Sequence, residues 1–337
     1  MSVQIIAEVG SVHDGSFGNA KKLIEAASEC GADAVKFQTH IASAETLKNA
    51  PMPPYFKGEP RYEYFERTGF TLPQWKELKA HADSIGIEFL SSPFSIEAVD
   101  LLEEVSIKRY KVPSGEVTNV PLLERIAKTK KPVLLSSGMS DWKELDRAVE
   151  VFKNNQSEGA GLEARLTMLQ CTSAYPCPYE SVGLNVLAEL RERYKCPVGL
   201  SDHTLTSFSS FAAVTLGATV IEKHLTFSRK MYGSDAPLSL EPPEFCDLTK
   251  GIRAIETMMR HPVKKGDLSH FKTMKEIFEK SVVSRLPIAK GAVITGDMLA
   301  CKKPGTGIPA AKLPNIIGQK AACDIPVDRL LTEKDFI

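Results

Sequence analysis

The chain of 337 residues is 43% hydrophobic and 25% charged, and Lys plus Arg balances Asp plus Glu at 42 each. That length suits one large domain with a smaller companion and enough apolar material for a real core. A net charge of zero provides no basic stripe for a phosphate backbone, which argues against a nucleic-acid partner.

The opening MSVQIIAEVG has neither the cationic start nor the long apolar stretch of a signal peptide. No run approaches the roughly 18 apolar residues of a membrane span. A cytoplasmic protein without a membrane partner is the expectation. Short β-branched or apolar runs then alternate with amphipathic helical spacing, and strands are predicted over Gln4–Val9, Ala34–Gln38, Ile87–Ser91, Arg109–Val112, Pro132–Ser136, Leu166–Cys171, Pro197–Leu200 and Thr219–Glu222. Between them Ala20, Leu23, Ile24 and Ala27, and again Leu145, Ala148, Val149 and Phe152, follow the i, i+3, i+4, i+7 spacing of one buried helical stripe. Eight such βα units in roughly 250 residues predict a closed (β/α)8 TIM barrel, with an open doubly wound sheet as the alternative. The stretch from Ile41 to Phe70, rich in Pro and aromatic residues, is too long for an ordinary connection and is expected to be a functional loop over one barrel end.

The barrel domain is assigned to residues 1–265 and a charged linker to 266–280. A small, mostly β module over 281–337 follows, where AKGAVITGDML and VDRLLTEKDFI suggest two related halves. Cys30, Cys171, Cys177, Cys196, Cys246, Cys301 and Cys323 are odd in number, scattered and never spaced C-x-x-C. They fit neither a disulfide framework nor a zinc knuckle.

In a (β/α)8 barrel the active site sits at the C-terminal ends of the strands. In chain order those ends offer Glu8; Lys36 and Gln38; Ser91 and Ser92; Lys111, Ser114 and Glu116; Ser136 and Ser137; Thr172, Ser173 and Tyr175; Ser201, Asp202 and His203; and Glu222, Lys223 and His224. Lysines within apolar strands are costly unless an anion meets them. Lys36 and Lys111 therefore imply either buried salt bridges to Glu8 or Glu116, or a small anionic ligand that the nearby serine hydroxyls would also bind. His203 and His224 end successive strands at equivalent places, so two imidazoles can converge on one divalent cation with positions left open for substrate. His13, His40 and His81 lack such pairing and read as structural or surface residues. Asp235, on a Gly-Ser turn after the eighth strand, reads either as a ligand for a polyol hydroxyl or as an ordinary turn former.

Taken in order, IAEVG, VKFQTH, SSPF, YKVPSGE, LSSGM, QCTSAYP, GLSDHT, IEKHLT, GSDAPLSLEP and SVVSRLPIAKG...KKPGTGI resemble the sialic acid synthase family over nearly the whole chain. The resemblance implies a TIM barrel joined to a C-terminal antifreeze-like (SAF) domain, in a domain-swapped homodimer. It also implies condensation of phosphoenolpyruvate with N-acetylmannosamine or a related aldose. Lys36, Ser92, Lys111, Ser114, Ser136, Ser173 and Ser201 would then hold phosphoenolpyruvate. Gln38, Phe94, Glu116, Tyr175, Asp235 and Lys303 would face the sugar. His203 and His224 would bind Mn²⁺, with Mg²⁺ or Co²⁺ as substitutes, and Glu8 and Asp235 would join them in catalysis.

Three places depart from the family pattern. VHDG (Val12 to Gly15) stands where the family often has NHNG, and KKPG carries Lys303 where an Arg is usual. A lysine keeps the charge without the planar two-pronged donor. The segment Pro51 to Pro60 also differs. Legionaminate or pseudaminate synthesis is the nearest alternative activity. A Schiff-base aldolase using Lys36 or Lys111 and a non-catalytic sugar-binding protein come from other classes.

Overall fold

Each predicted apolar run is a parallel strand in the computed structural model, which describes residues 2–51, 58–155 and 161–337. The strands are β1 (Gln4–Gly10), β2 (Ala34–Thr39), β3 (Glu88–Pro93), β4 (Tyr110–Val112), β5 (Val133–Ser136), β6 (Leu166–Cys171), β7 (Val198–Asp202) and β8 (Val220–His224). Each pairs with the next in sequence, and β8 pairs back onto β1. The sheet is thus a closed barrel rather than an open one. Strands β7 and β8 run two residues beyond their apolar stretches because the backbone ladder, with Ser201 opposite Glu222 and Asp202 opposite Lys223, is indifferent to side-chain polarity.

Helices α1 (Phe17–Glu29), α2 (Ala42–Glu45), α3 (Arg61–Thr68), α4 (Leu72–Ser84), α5 (Ile96–Val105), α6 (Val120–Lys128), α7 (Trp142–Asn154), α8 (Val186–Tyr194), α9 (Phe208–Thr215) and α10 (Pro242–Arg260) connect them. Local chemistry sets where helices begin. The Ser16 and Ser95 hydroxyls accept from Asn19 N–H and Ala98 N–H, and Asp141 and Glu144 form a reciprocal capping box at α7. Leu145, Ala148, Val149 and Phe152 of α7 are buried at the predicted spacing, as are Ala20, Leu23, Ile24 and Ala27 of α1. Each large side chain so buried contributes about 1.5–3 kcal/mol. Of the long insertion, residues 52–57 lie outside the described residues. The rest of it holds α2 and α3.

Inside the barrel the period of two stacks side chains in layers. At the N-terminal end Arg109 holds Glu88 at 2.8 and 2.9 Å and also donates to Gln4. Above lies an apolar layer of Ile6, Ala34, Leu90, Leu134, Leu169 and Val220. The next residues inward and upward are polar, and they floor the site.

The chain divides into two compact units, Met1–His261 and Pro262–Ile337. The second pairs β9 (Ser281–Ser284) antiparallel with β10 (Leu299–Lys302) and has its own core, which includes Val282, Ile288, Ile294, Leu299, Ile325 and Leu331. Its two halves repeat one path: a bridge residue at Ile288 or Ile325, a tight turn, then a 3-10 turn at Gly296–Met298 or Glu333–Asp335 opened by Thr295 or Thr332. Ile288 and Ile325 also pair with each other. Among the described residues no helix is long and apolar enough to cross a membrane.

Candidate active site

A cavity of about 310 Å³ opens at the C-terminal ends of the barrel strands. The alternation that buries Ile6, Ala34, Leu134 and Val220 brings Glu8, Lys36, Ser136 and Glu222, two residues further on, to its floor. Outward-facing neighbours are handled separately. Lys223, fully buried, meets Asp202 at 3.0 Å and Thr206 O at 2.9 Å behind the strands. The lysines of the floor are met by carboxylates: Lys36 by Glu8 at 2.6 Å and Glu222 at 4.0 Å, Lys111 by Glu222 at 2.7 Å. The expected partner Glu116 is therefore replaced by Glu222, which reaches Lys111 from across the barrel. Burial alone would raise the Glu222 carboxyl, but Lys111 and Lys36 outweigh it and hold it well below the usual carboxylate range. Burial does raise Glu8, with Lys36 opposing.

Each ammonium has three N–H groups. Lys36 uses its own on Glu8 and Ser92, Lys111 on Glu222, and both still line the cavity. Hydroxyls surround them. Ser201 donates to Glu222 at 2.8 Å, Ser114 contacts the Cys171 thiol at 3.5 Å, and the buried Ser173 Oγ has no hydrogen-bond partner. Gly138 makes room here, since a Cβ on it would lie 2.5 Å from Ser114 Oγ and 2.7 Å from Ser173 Oγ. A buried hydroxyl without a partner, beside two cations, suits an anionic ligand.

On the next level the His203 and His224 rings lie 5.6 Å apart between centroids. His203 Nδ1 lies 2.9 Å from the Thr172 carbonyl, an acceptor, so that nitrogen carries a proton and, in the neutral ring, Nε2 is the one with a free lone pair. His224 Nδ1 is buried with no hydrogen-bond partner. Burial pushes the His224 imidazole down to about 4, against an opposing pull from Asp235. Imidazole nitrogens bind divalent ions at about 2.1 Å, so two rings at this spacing fit one ion. Among the described residues no three His, Cys, Asp or Glu side chains form a metal cluster. An ion here would have two protein ligands and open positions.

Asp235 lines the cavity and is locked against β1: its carboxylate accepts from Ser11 N–H at 3.1 Å and from the Ser234 hydroxyl at 3.0 Å. Gly10 lets the carboxylate come this close: a Cβ there would lie 2.3 Å from Asp235 Oδ2, and φ at position 10 is +54°, in the left-handed region that favours glycine. Gln38 donates to Glu8 at 2.7 Å, and Phe94 and Tyr175 join the wall, with Tyr175 against the His203 ring at 4.4 Å.

Not every sequence candidate reaches the cavity. Ser92 sits behind Lys36 as its hydrogen-bond acceptor at 3.2 Å, and Glu116 accepts from Asn119 at 2.7 Å outside the lining. Lys303 belongs to the second unit, its ammonium 4.8 Å from the centre of the Phe278 ring. His40, read from sequence as structural or surface, lines the cavity instead. Its place two residues after Gln38 was the available signal. Ser11, Arg61, Tyr64, Phe65, Met139 and Ser234 are further lining residues that strand-end reasoning does not reach, and Cys171, which ends β6, lines it too although its sequence reading concerns only disulfide and zinc spacing. Arg61, Tyr64 and Phe65 share one face of α3 by i, i+3, i+4 spacing.

Comparison with known proteins shows the family of the chain. The NeuB family model matches residues 23–264 and the SAF domain model matches 279–337. The chain is 39% identical over 334 residues to the N,N'-diacetyllegionaminic acid synthase of Campylobacter jejuni, covering 98% of each. It is 34% identical to the human N-acetylneuraminate-9-phosphate synthase, with 98% of this chain and 91% of that one covered. Among solved structures, the N-acetylneuraminic acid (sialic acid) synthetase of Leptospira borgpetersenii in complex with citrate superposes with a TM-score of 0.69 at 28% identity, over 81% of this chain and 90% of that one. An eight-stranded barrel, an SAF module and end-to-end likeness to named synthases together make this chain a member of the NeuB family of sialic and legionaminic acid synthases.

Proposed function

We propose that the protein condenses phosphoenolpyruvate with an N-acetylated amino-sugar aldose and water, yielding a nonulosonic acid and phosphate. One observation carries the reading: two buried ammonium groups and the unpartnered Ser173 hydroxyl adjoin two imidazoles 5.6 Å apart in the same cavity. Lys36, Lys111 and the hydroxyls of Ser114, Ser136, Ser173 and Ser201 bind the carboxylate and phosphate of the donor. A divalent ion, Mn²⁺ before Mg²⁺ or Co²⁺, held by His203 and His224 would polarise the sugar aldehyde. C3 of the donor attacks that aldehyde carbon, water adds to the cation left at C2, and phosphate departs with its bridging oxygen as the C–O bond breaks. Asp235, with both oxygens already accepting hydrogen bonds, is a fixed acceptor for a sugar hydroxyl. Glu8, held by Gln38 and Lys36, is the carboxyl assigned to proton transfer.

N-acetylmannosamine is the first acceptor. The 2,4-diacetamido-6-deoxy analogue is the second, favoured by the likeness to the legionaminic acid synthase. A Schiff-base aldolase fits less well, because both lysines are engaged by carboxylates and Lys36 is held above its ordinary value by Glu222 and Glu8 despite burial. The test is phosphate release and product mass from phosphoenolpyruvate with each aldose. Turnover is expected to need both substrates, to stop on chelation, and to be lost in His203→Ala even with added Mn²⁺. Full activity in chelator, or a lysine trapped by borohydride, would overturn the reading.

A further inference from the structure

The Gln38 amide sits between two groups that require opposite ends of it. Its Nε2 donates to Glu8 Oε1 at 2.7 Å, and its Oε1 lies 3.1 Å from His40 Nε2. Lys36 meets the other oxygen of Glu8, Oε2, at 2.6 Å. Lys36 thus anchors the carboxylate by charge, while the Gln38 bond on Oε1 fixes how the group is turned. An amide turned end for end would set its carbonyl against Glu8 Oε1, two oxygens with no hydrogen between them. The group on the far side of the amide decides which way it faces.

That group is His40. Its ring lies between Phe65, at 3.6 Å and 12°, and Phe94, at 4.1 Å and 22°, so both faces are covered and the plane of the ring is fixed. Within that plane Nδ1 meets the Glu45 carboxylate at 2.8 Å and Nε2 meets the Gln38 carbonyl. Both partners are acceptors, so both ring nitrogens are donors. The Glu45 carboxylate, on a side chain only 5% exposed, and the faces of the two phenyl rings supply the negative charge that suits an imidazolium. A ring with its single proton on Nδ1 would offer Gln38 a lone pair instead, and the amide would turn over to meet it. One line of hydrogen bonds therefore runs from Glu45 through His40 and Gln38 to Glu8.

We propose that His40, backed by Glu45, is a positioning residue: its Nε2–H holds the Gln38 amide with its nitrogen toward Glu8, and so sets the direction of the carboxylate assigned to proton transfer. The inference rests on the synthase reading above. It gives a task to a histidine that, unpaired in sequence, reads as structural.

The test separates the donor from the flat ring. Phosphate release from phosphoenolpyruvate is measured, with the aldose that the wild-type enzyme turns over best, in Glu45→Gln and in that variant combined with His40→Phe or His40→Gln. The shared Glu45→Gln change leaves no buried carboxylate stranded when the imidazole is removed. Phenylalanine keeps the stack and has no donor, whereas glutamine keeps a donor and loses the stack. Relative to Glu45→Gln alone, His40→Phe is expected to lower kcat about tenfold with the KM for phosphoenolpyruvate within about twofold, and His40→Gln to retain most of the activity. Once Gln38→Met has removed the amide, His40→Phe is expected to cost less than about twofold, because its effect has no other route to Glu8. A phenylalanine variant as active as the glutamine variant, or an undiminished loss in the Gln38→Met background, would overturn the positioning role and leave the synthase intact. Absence of phosphate release by the wild type with every aldose would overturn the synthase reading and this inference with it.

Discussion

Lys36 and Lys111 show what a buried charge says by itself and what it does not. Their position in apolar strands requires counter-charge, and that much is visible in the residue type and its neighbours. The identity of the counter-charge is a matter of barrel geometry, which brings Glu222 to Lys111 from the other side. His13 is a second case. It is buried against Phe70 at 4.6 Å and accepts from Gly15 N–H at 3.1 Å. Burial pushes its imidazole down to about 4, with Asp235 opposing and His40 adding to the effect. In the unfolded chain the ordinary value is near 6.5. The unfolded state thus takes up a proton below about pH 6.5 that the folded state refuses until about pH 4. Stability from this group is complete above that window and is lost as pH falls through it, by an order-of-magnitude total of about 3 kcal/mol. His13→Gln is expected to remove that part of the acid sensitivity in urea unfolding at pH 7 and pH 4.5. An unchanged pH dependence would show that His13 titrates freely.

At the scale of elements, β7 and β8 carry the imidazoles inward and an ion pair outward. Asp202 accepts from Thr204 N–H at 2.9 Å, Ser209 at 2.6 Å and Ser210 at 2.7 Å, besides Lys223 at 3.0 Å. Lys223 donates to the carbonyls of Thr204 and Thr206. The loop leaving β7 is therefore fastened to β8 by a pair with no access to water. Breaking such a pair strands a charge in the interior, at a cost of about 3–5 kcal/mol, whereas replacing both members by apolar groups is often neutral. Lys223→Met is expected to lose that much stability in chemical denaturation, and Lys223→Met with Asp202→Leu to recover most of it. A double variant no better than the single one would mean that the hydroxyls around Asp202, rather than the charge pair, hold the loop.

For the whole molecule, the two units bury separate cores, one beneath the helices of the barrel and one around Val282 and Ile325. The family resemblance extends to both, and we propose on that basis that the protein is a homodimer in which Lys303 serves the sugar site. Lys303→Ala is expected to raise the KM for the aldose several-fold and to leave that for phosphoenolpyruvate near the wild-type value. An unchanged aldose KM would remove Lys303 from the site, and a light-scattering mass of one chain would remove the dimer.

Strand number, the parallel βα order and the polar rim were determined by the sequence alone, because periods of 2 and 3.6 and the cost of buried charge are local properties of a chain. The pairing of His203 with His224 was legible for the same reason: both end strands that follow one another. Tertiary structure alone decided that Glu222 faces Lys111, that Ser92 stands behind Lys36, and that His40 and Arg61 reach the cavity. Those relations depend on barrel closure and on how α3 folds back over the strand ends, which bring together residues far apart in sequence and carry no local periodic signal.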